Sequence, residues 1–255
     1  MAKFIRLEGV VFNNNTLPVL VDLAELVSQI PSLHSWVNAE ASNYSYQNGD
    51  LVLQDLVNPS AQYEKASGRT TGPSVVENIL NGRAVIRFAG DGNVVGGLKK
   101  NTDDMPNGAN TKLTLAVVAL VTAPDTSIQN IMCSGSNNND GVAIFATGIN
   151  MTHSIGLNGG NVSFENNKTW KILIGSIDDT TVKSLSPSDL ASVNTNTASS
   201  SNLLATTYLG QSSATSSKFV GDIAEAFVFS DDLLAAGNET HLANLIDYLK
   251  TKFSM

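Results

Sequence analysis

The stretch "FVGDIAEAFVFSDDLL", Phe219–Leu234, decides how the chain is read. Most of it has the composition of a buried β-strand, yet Asp222 and Glu225 stand in its middle. Successive strand residues point to opposite faces, and three positions is an odd spacing. The pattern therefore predicts that the two carboxylates face opposite sides of a sheet. A glycosidase needs its pair within about 5–5.5 Å (retaining) or about 6.5–9.5 Å (inverting). Glu225, between Ile223, Phe227 and Phe229, is expected to be buried, and a buried charge must be paired. Arg87, in "AVIRF", is the preferred structural partner and Lys171 the second.

After this strand the character changes. "NETHLANLIDYLKTKF" places Leu242, Leu245, Ile246, Leu249 and Phe253 on one helical stripe. Asn238 is the expected N-cap, and Lys250 and Lys252 suit the negative end of the helix dipole. Burying those side chains contributes on the order of 8–15 kcal/mol before chain entropy is charged against it. A helix of this length is marginal alone, so it must dock on the rest of the protein.

Upstream, from Trp36, short apolar runs alternate with turn clusters. Asn-Gly and Asp-Gly pairs at 48–49, 81–82, 91–92 and 158–159 are strong hairpin signals. "LTLAVVALV" is apolar on both alternating faces and predicts a central strand covered on both sides. No helical period runs between about 36 and 230, which points to an all-β antiparallel sandwich. Residues 185–202 and 211–217 read as exposed loops. The first 35 residues read as an attachment of their own: a hairpin around "NNN", then a helix "LAELVSQI" capped by Asp22 and closed by Pro31. The expected organisation is thus 1–35 as an anchoring hairpin and helix, and 36–255 as a sandwich with a terminal helix.

Composition narrows the classes. The 255 residues fit one large all-β domain or two small ones, and 42% hydrophobic content supplies a core. Only 15% of residues are charged, so the polar surface comes from Asn, Ser, Thr and Gly. The net charge of −8, with no basic cluster beyond Lys99–Lys100, leaves no nucleic-acid footprint. Cys133 is alone, which rules out an intrachain disulfide. No run approaches the roughly 20 apolar residues of a membrane span, and the N-terminal apolar run is short and interrupted for a signal peptide.

"LNGRAVIRFAGDGNVV" and the Gly221–Phe229 strand with its closing helix resemble concanavalin A-like lectin/glucanase domains of the laminin-G-like type. The "GDIAE" motif and its helix are the specific part. "SWVNAEASNYSYQNGDLVLQDLVNPSAQYEKAS" is similar more loosely: Leu53 stands where that group has a Trp, Asp55 is kept, and "VNPSA" replaces a glycine turn. The resemblance covers about 36–254 and implies a two-sheet jelly roll, a fold that carries many functions.

The remaining candidate chemistry is sparse. His34, His153 and His241 are scattered and lack zinc-pair spacing. "GDGNVVG" has no βαβ unit around it and reads as a hairpin, so no dinucleotide cofactor is expected. "SGSNNNDGVA" has an EF-hand-like rhythm, with Asn138 and Asp140 as candidate Ca²⁺ ligands, but Thr147 stands where a bidentate Glu is needed. Trp170 shares a strand face with Ile172 and Ile174 and reads as core. Tyr44, Tyr46 and Tyr63 lie in a polar region and are the candidates for contact with a glycan or a protein partner.

The first functional expectation is a non-enzymatic virion structural protein of a bacteriophage, a capsid decoration or a tail, fibre or baseplate component. It would be made in the host cytoplasm, with 1–35 docked on other virion proteins and the sandwich outward. The alternative is a glycan-binding lectin or adhesion module that contacts cell-surface glycan. A glycoside hydrolase comes third, because of the carboxylate spacing. A homo-oligomer is compatible with either binding role, with no coiled-coil signal to set its order.

Overall fold

A computed structural model describes residues 22–66, 70–88, 96–102, 112–123, 128–134, 142–147, 152–157, 160–164, 169–186, 188–197, 206–211 and 219–255. With elements numbered in chain order, the first sheet runs β15 (Val193–Thr197), β14 (Thr181–Leu185), β13 (Lys171–Asp178), β8 (Lys112–Val121), β17 (Gly221–Phe229), β6 (Arg83–Phe88) and β5 (Ser74–Leu80). Its eighth strand, β1 (Leu33–Asn38), shares one edge of β17 with β6. The second sheet runs β12 (Gly160–Phe164), β11 (Thr152–Leu157), β10 (Val142–Thr147), β9 (Gln129–Ser134), β16 (Thr207–Leu209), β7 (Leu98–Lys100), β4 (Gln62–Lys65), β3 (Asp50–Gln54) and β2 (Tyr44–Gln47). The strand pairings of both sheets are antiparallel. Among the described residues the helices are α1 (Leu23–Ser28) and α2 (Glu239–Phe253).

This is the expected antiparallel sandwich with a C-terminal helix. As "LTLAVVALV" predicts, β8 lies between β13 and β17, and Leu113 to Ala119 are buried on both faces. Alternation splits the core into two layers. Leu115, Val117, Ile86, Phe88 and Ile223 point inward between the sheets with Leu53 and Leu98. Val118, Ile174, Phe227 and Phe229 point outward, where Leu245, Leu249 and Phe253 of α2 and Val27 of α1 cover them. The apolar stripe on α2 is thus the lid of an outer core. Leu242 is only partly buried, and Tyr248 joins the stripe instead.

Several local expectations meet a more detailed answer. Asn48–Gly49 and Asn81–Gly82 form the turns between β2 and β3 and between β5 and β6, all four with positive φ, as Asn-Gly hairpins require. The pairs at 91–92 and 158–159 lie outside the described residues, as does the expected N-terminal hairpin. Asp22 caps α1, its Oδ1 accepting from Ala24 N at 2.9 Å. Asn238 does not cap α2 with its side chain; its Nδ2 donates to Asp232 O at 2.8 Å instead. The division drawn at 35/36 falls inside β1, and α1 packs in the same outer core as α2. Residues 193–197 are not loop but the edge strand β15, where Thr alternates with Asn, a residue depleted in strands.

Candidate functional site

The opening carboxylates are placed by a β-bulge. Asp222 pairs with Leu120 and Ile223 with Ala119, but Glu225 pairs with Val118, so Ala224 is the extra residue. The inserted residue reverses the parity of the strand. Asp222 and Glu225 therefore share the outer face, contrary to the alternation argument, which holds only for an unbroken ladder.

The same register corrects the partner of Glu225. Arg87 stands directly opposite Asp222 and holds it in a two-pronged contact, Nε to Oδ1 and Nη2 to Oδ2, both at 2.8 Å. Glu225, fully buried, is held from another direction and through one oxygen, its Oε2 being buried with no hydrogen-bond partner among the described residues. Its Oε1 accepts from Trp36 Nε1 at 2.6 Å, Asn38 Nδ2 at 3.2 Å, Tyr248 OH at 2.9 Å and Lys252 Nζ at 2.9 Å. Burial, and after it the Glu225 carboxylate, push the Tyr248 phenol far above its usual range, so it stays a protonated donor. Trp36 stacks on Phe227 with ring centroids 5.3 Å apart. This cluster ties α2 and β1 to β17. The last acidic residue of the stretch, Asp232, is buried as well and accepts from Ser176 and Lys183, fixing the strand's exit to β13 and β14.

The three tyrosine candidates separate. Tyr63 is buried in the inner core, its hydroxyl 2.8 Å from Ser35 Oγ, and presents nothing to a partner. Tyr44 and Tyr46 meet edge to face with centroids 6.0 Å apart, and Tyr46 is 50% exposed. Their hydroxyls are engaged within the chain: Tyr44 donates to Glu77 at 3.3 Å, and Tyr46 accepts from Val75 N at 3.1 Å. The pair fastens the edge strand β2 of one sheet to the edge strand β5 of the other.

The concave site lies elsewhere, around the ring read as core. Trp170 does pack on the outer core, but it also lines a cleft of about 410 Å³. The start of β13 supplies Thr169, Trp170 and Lys171, the turn after β14 supplies Ser188, Asp189 and Leu190, and the end of α2 supplies Lys250 and Met255. Lys171 is therefore a rim residue here and no partner of Glu225. Asp189 is set rigidly: Oδ1 accepts from Ala191 N at 2.9 Å and Ser192 N at 3.1 Å, and Oδ2 from Ser192 Oγ at 2.8 Å. Those backbone hydrogen bonds hold its carboxyl down to about 2, so it is an anion at any ordinary pH. Leu190 beside it adopts φ 53°, a left-handed conformation that costs about 1–2 kcal/mol and is offset by its packing on the outer core. An aromatic face, a fixed carboxylate, two ammonium groups and two hydroxyls thus surround an open hollow. That is the make-up of a polar-ligand seat: an apolar wall with a few placed hydrogen-bonding groups. The sequence signal for it was slight. Asp189 followed by a hydroxyl three residues on marks a local turn, but nothing in the chain links it to Trp170 or to the distant Lys250.

A second cleft, about 220 Å³, is lined by Asn38, Glu40, Glu77, Arg83 and Lys252. Its cations are engaged by its own acids, Lys252 with Glu40 at 2.9 Å and Arg83 with Glu40 at 3.8 Å. The calcium candidates Asn138 and Asp140 lie outside the described residues. Among the described residues no group of three or more His, Cys, Asp and Glu side chains could hold a metal ion, and no helix is long and apolar enough to cross a membrane.

Two antiparallel sheets with a helix-covered outer face and a ligand-sized cleft at its rim define a β-sandwich with a built concave seat. No family model and no curated protein matches the chain. Among solved structures it is similar to the sialidase of Trypanosoma rangeli, with TM-score 0.53 and 13% identity over 87% of this chain and 33% of that one. It is also similar to the binding domain of botulinum neurotoxin serotype D, with TM-score 0.55 and 11% identity over 89% of this chain and 52% of that one. A third is the botulinum neurotoxin type C structure whose cell entry depends on two ganglioside molecules, with TM-score 0.54, 11% identity and coverage of 88% and 53%. The chain spans about a third of the sialidase and about half of the neurotoxin chains. At these identities the likeness is one of fold. It also corrects the expectation of a non-enzyme, because the same sandwich occurs within sialidase chains and an enzyme is no longer set aside on the fold.

Proposed function

We propose that this protein is a glycan-binding module and that the cleft beside Trp170 seats the sugar. The observation that carries the reading is the Trp170 ring lining a 410 Å³ hollow together with Asp189, Lys171 and Lys250. A pyranose offers an apolar C–H face and a rim of hydroxyls. Trp170 matches the face, while the preset Asp189 carboxylate accepts from hydroxyls and the ammonium groups donate to them. The likeness to a botulinum neurotoxin binding domain, and to a botulinum neurotoxin whose cell entry depends on ganglioside, supports this reading. The "GDIAE" strand with its docked helix supports grouping the sandwich with laminin-G-like domains. The virion role, with residues 1–35 as an anchor on other virion proteins, gains no support from the neighbours, and glycan binding takes its place as the leading reading.

A glycan array probed with wild type, Trp170→Ala and the Tyr44→Ala/Tyr46→Ala double variant tests it, with melting curves as a check on folding. Wild type should retain defined glycans, and Trp170→Ala should weaken them at least about tenfold, equivalent to about 1.4 kcal/mol. The tyrosine variant should keep its binding. An array with no wild-type signal refutes the function, and binding lost only in the tyrosine variant refutes the site.

A further inference from the structure

A second chemical constellation lies inside the sandwich, where no ligand could reach it. Lys100 Nζ lies 3.0 Å from Asp55 Oδ2, and the two side chains are 1% and 0% exposed. Asp55 follows β3, Lys100 ends β7, and Tyr63 of β4 stands opposite Lys100 in register. Leu53 and Leu98, two residues before Asp55 and Lys100, belong to the inner core.

The groups around Asp55 are distinct for its two oxygens. Oδ1 accepts from two backbone donors, Val57 N at 3.0 Å and Trp36 N at 3.2 Å. Oδ2 accepts from Ser35 Oγ at 2.8 Å, which is itself 2.8 Å from Tyr63 OH. Paired backbone N–H groups on one oxygen stabilise the charge that develops there when a carboxyl carbon becomes tetrahedral. A hydroxyl on the other oxygen is placed to move protons to and from a leaving group. An amine held at about 3–3.5 Å from the reacting group has its orientation already fixed by the fold.

We propose that Lys100 and Asp55 are joined by an intramolecular isopeptide bond, formed by the folded chain itself. Keeping two charges in the buried inner layer is costly, and transfer of one proton from the ammonium to the carboxylate removes both. The neutral Nζ then attacks Cγ, and the carbonyl electron pair moves onto Oδ1, held by the Trp36 and Val57 N–H groups. As the carbonyl re-forms, the Cγ–Oδ2 bond breaks. Oδ2 leaves as water, carrying the acid proton and a second proton that Nζ, 3.0 Å away, passes to it directly, with the Ser35 hydroxyl hydrogen-bonded to the departing oxygen. The sum is amine plus carboxylic acid giving amide plus water, with no change of oxidation state. The amide oxygen keeps the two backbone donors, and the cross-link bolts β7 to the segment after β3. Asp55 and Lys100 are thus assigned a covalent role independent of the Trp170 cleft, with Ser35 placed beside the leaving oxygen.

The intact mass of the denatured full-length chain decides the matter. The wild-type mass should fall one water short of the encoded mass, and Lys100→Met and Asp55→Ala should each show the full mass expected of the variant. A tryptic digest should lack cleavage after Lys100 and yield a branched peptide joining the Asp55 and Lys100 segments. A wild-type chain at its encoded mass overturns the proposal, and so does a one-water deficit that persists in Lys100→Met. The wild-type reading stands by itself if either variant fails to fold.

Discussion

Lys252 Nζ stands 2.9 Å from Glu225 Oε1 and 2.9 Å from Glu40 Oε1, so one ammonium joins the last turn of α2 to a buried strand carboxylate and to the segment after β1. Asn81 and Arg83 hold the same helix end by donating to the carbonyls of Phe253 and Lys252. Lys252→Met would leave Glu225 charged with Trp36, Asn38 and Tyr248 as its donors. Removing one partner of a buried pair costs about 3–5 kcal/mol. Urea unfolding should show a loss of that size, and Glu225→Gln combined with Lys252→Met should recover part of it. A loss under about 1 kcal/mol would mean that the apolar stripe alone holds α2.

Arg87 and Asp222 make the weaker test of the same kind. Asp222 is 2% exposed but the Arg87 side chain is 36% exposed, so solvent screens the pair from one side. Arg87→Met should cost about 1–3 kcal/mol, less than Lys252→Met. Arg87→Lys should restore little, since a single ammonium cannot reproduce the two parallel hydrogen bonds. Full rescue by Lys would show that charge, and not the fork, is what Asp222 requires.

These two pairs mark where the sequence could and could not be read. Alternation found β8 because an unbroken central strand shows its burial on every residue, and Asn48–Gly49 and Asn81–Gly82 announced their turns through backbone chemistry alone. The helical stripe of α2 was equally local. Alternation failed at Ala224 because a bulge changes parity without leaving a compositional trace. The partner of Glu225 was missed because its cation arrives from a helix 27 residues later, on a face that only docking defines. Tyr63 and Trp170 were exchanged for a related reason. A polar neighbourhood in the chain placed Tyr63 outside and an apolar one placed Trp170 inside, but β3 and β7 enclose the first and the start of β13 leaves the second at a rim.

Gly210 offers a steric prediction. It has φ +73°, and an added Cβ would meet Phe88 Cε1 of the inner core at 2.2 Å. Gly210→Ala combines a left-handed backbone with overpacking and should cost about 3 kcal/mol in chemical denaturation. Gly49 has φ +87° with nothing within 4 Å, so Gly49→Ala should cost only the conformational part, about 1–2 kcal/mol. Equal costs at the two positions would show that the core around Phe88 relaxes freely.

Alkaline pH should weaken the fold in two overlapping steps. Burial pushes the Cys133 thiol from 9.0 up to about 12. Burial, followed by the Glu225 carboxylate, raises the Tyr248 phenol above its ordinary 10.0. Both groups keep their protons in the folded protein at a pH where the unfolded chain releases them. Their contribution is therefore complete below about pH 9 and declines as pH rises, from about 9 toward 12 for Cys133 and from about 10 upward for Tyr248. Each group can remove at most about 1.4 kcal/mol per pH unit. Urea unfolding measured at intervals between about pH 8 and 11 should show this decline. Cys133→Ala should flatten the first part and Tyr248→Phe the part above about pH 10. Wild-type stability that stays level across that range would mean that the thiol and the phenol ionise inside the fold as readily as outside it.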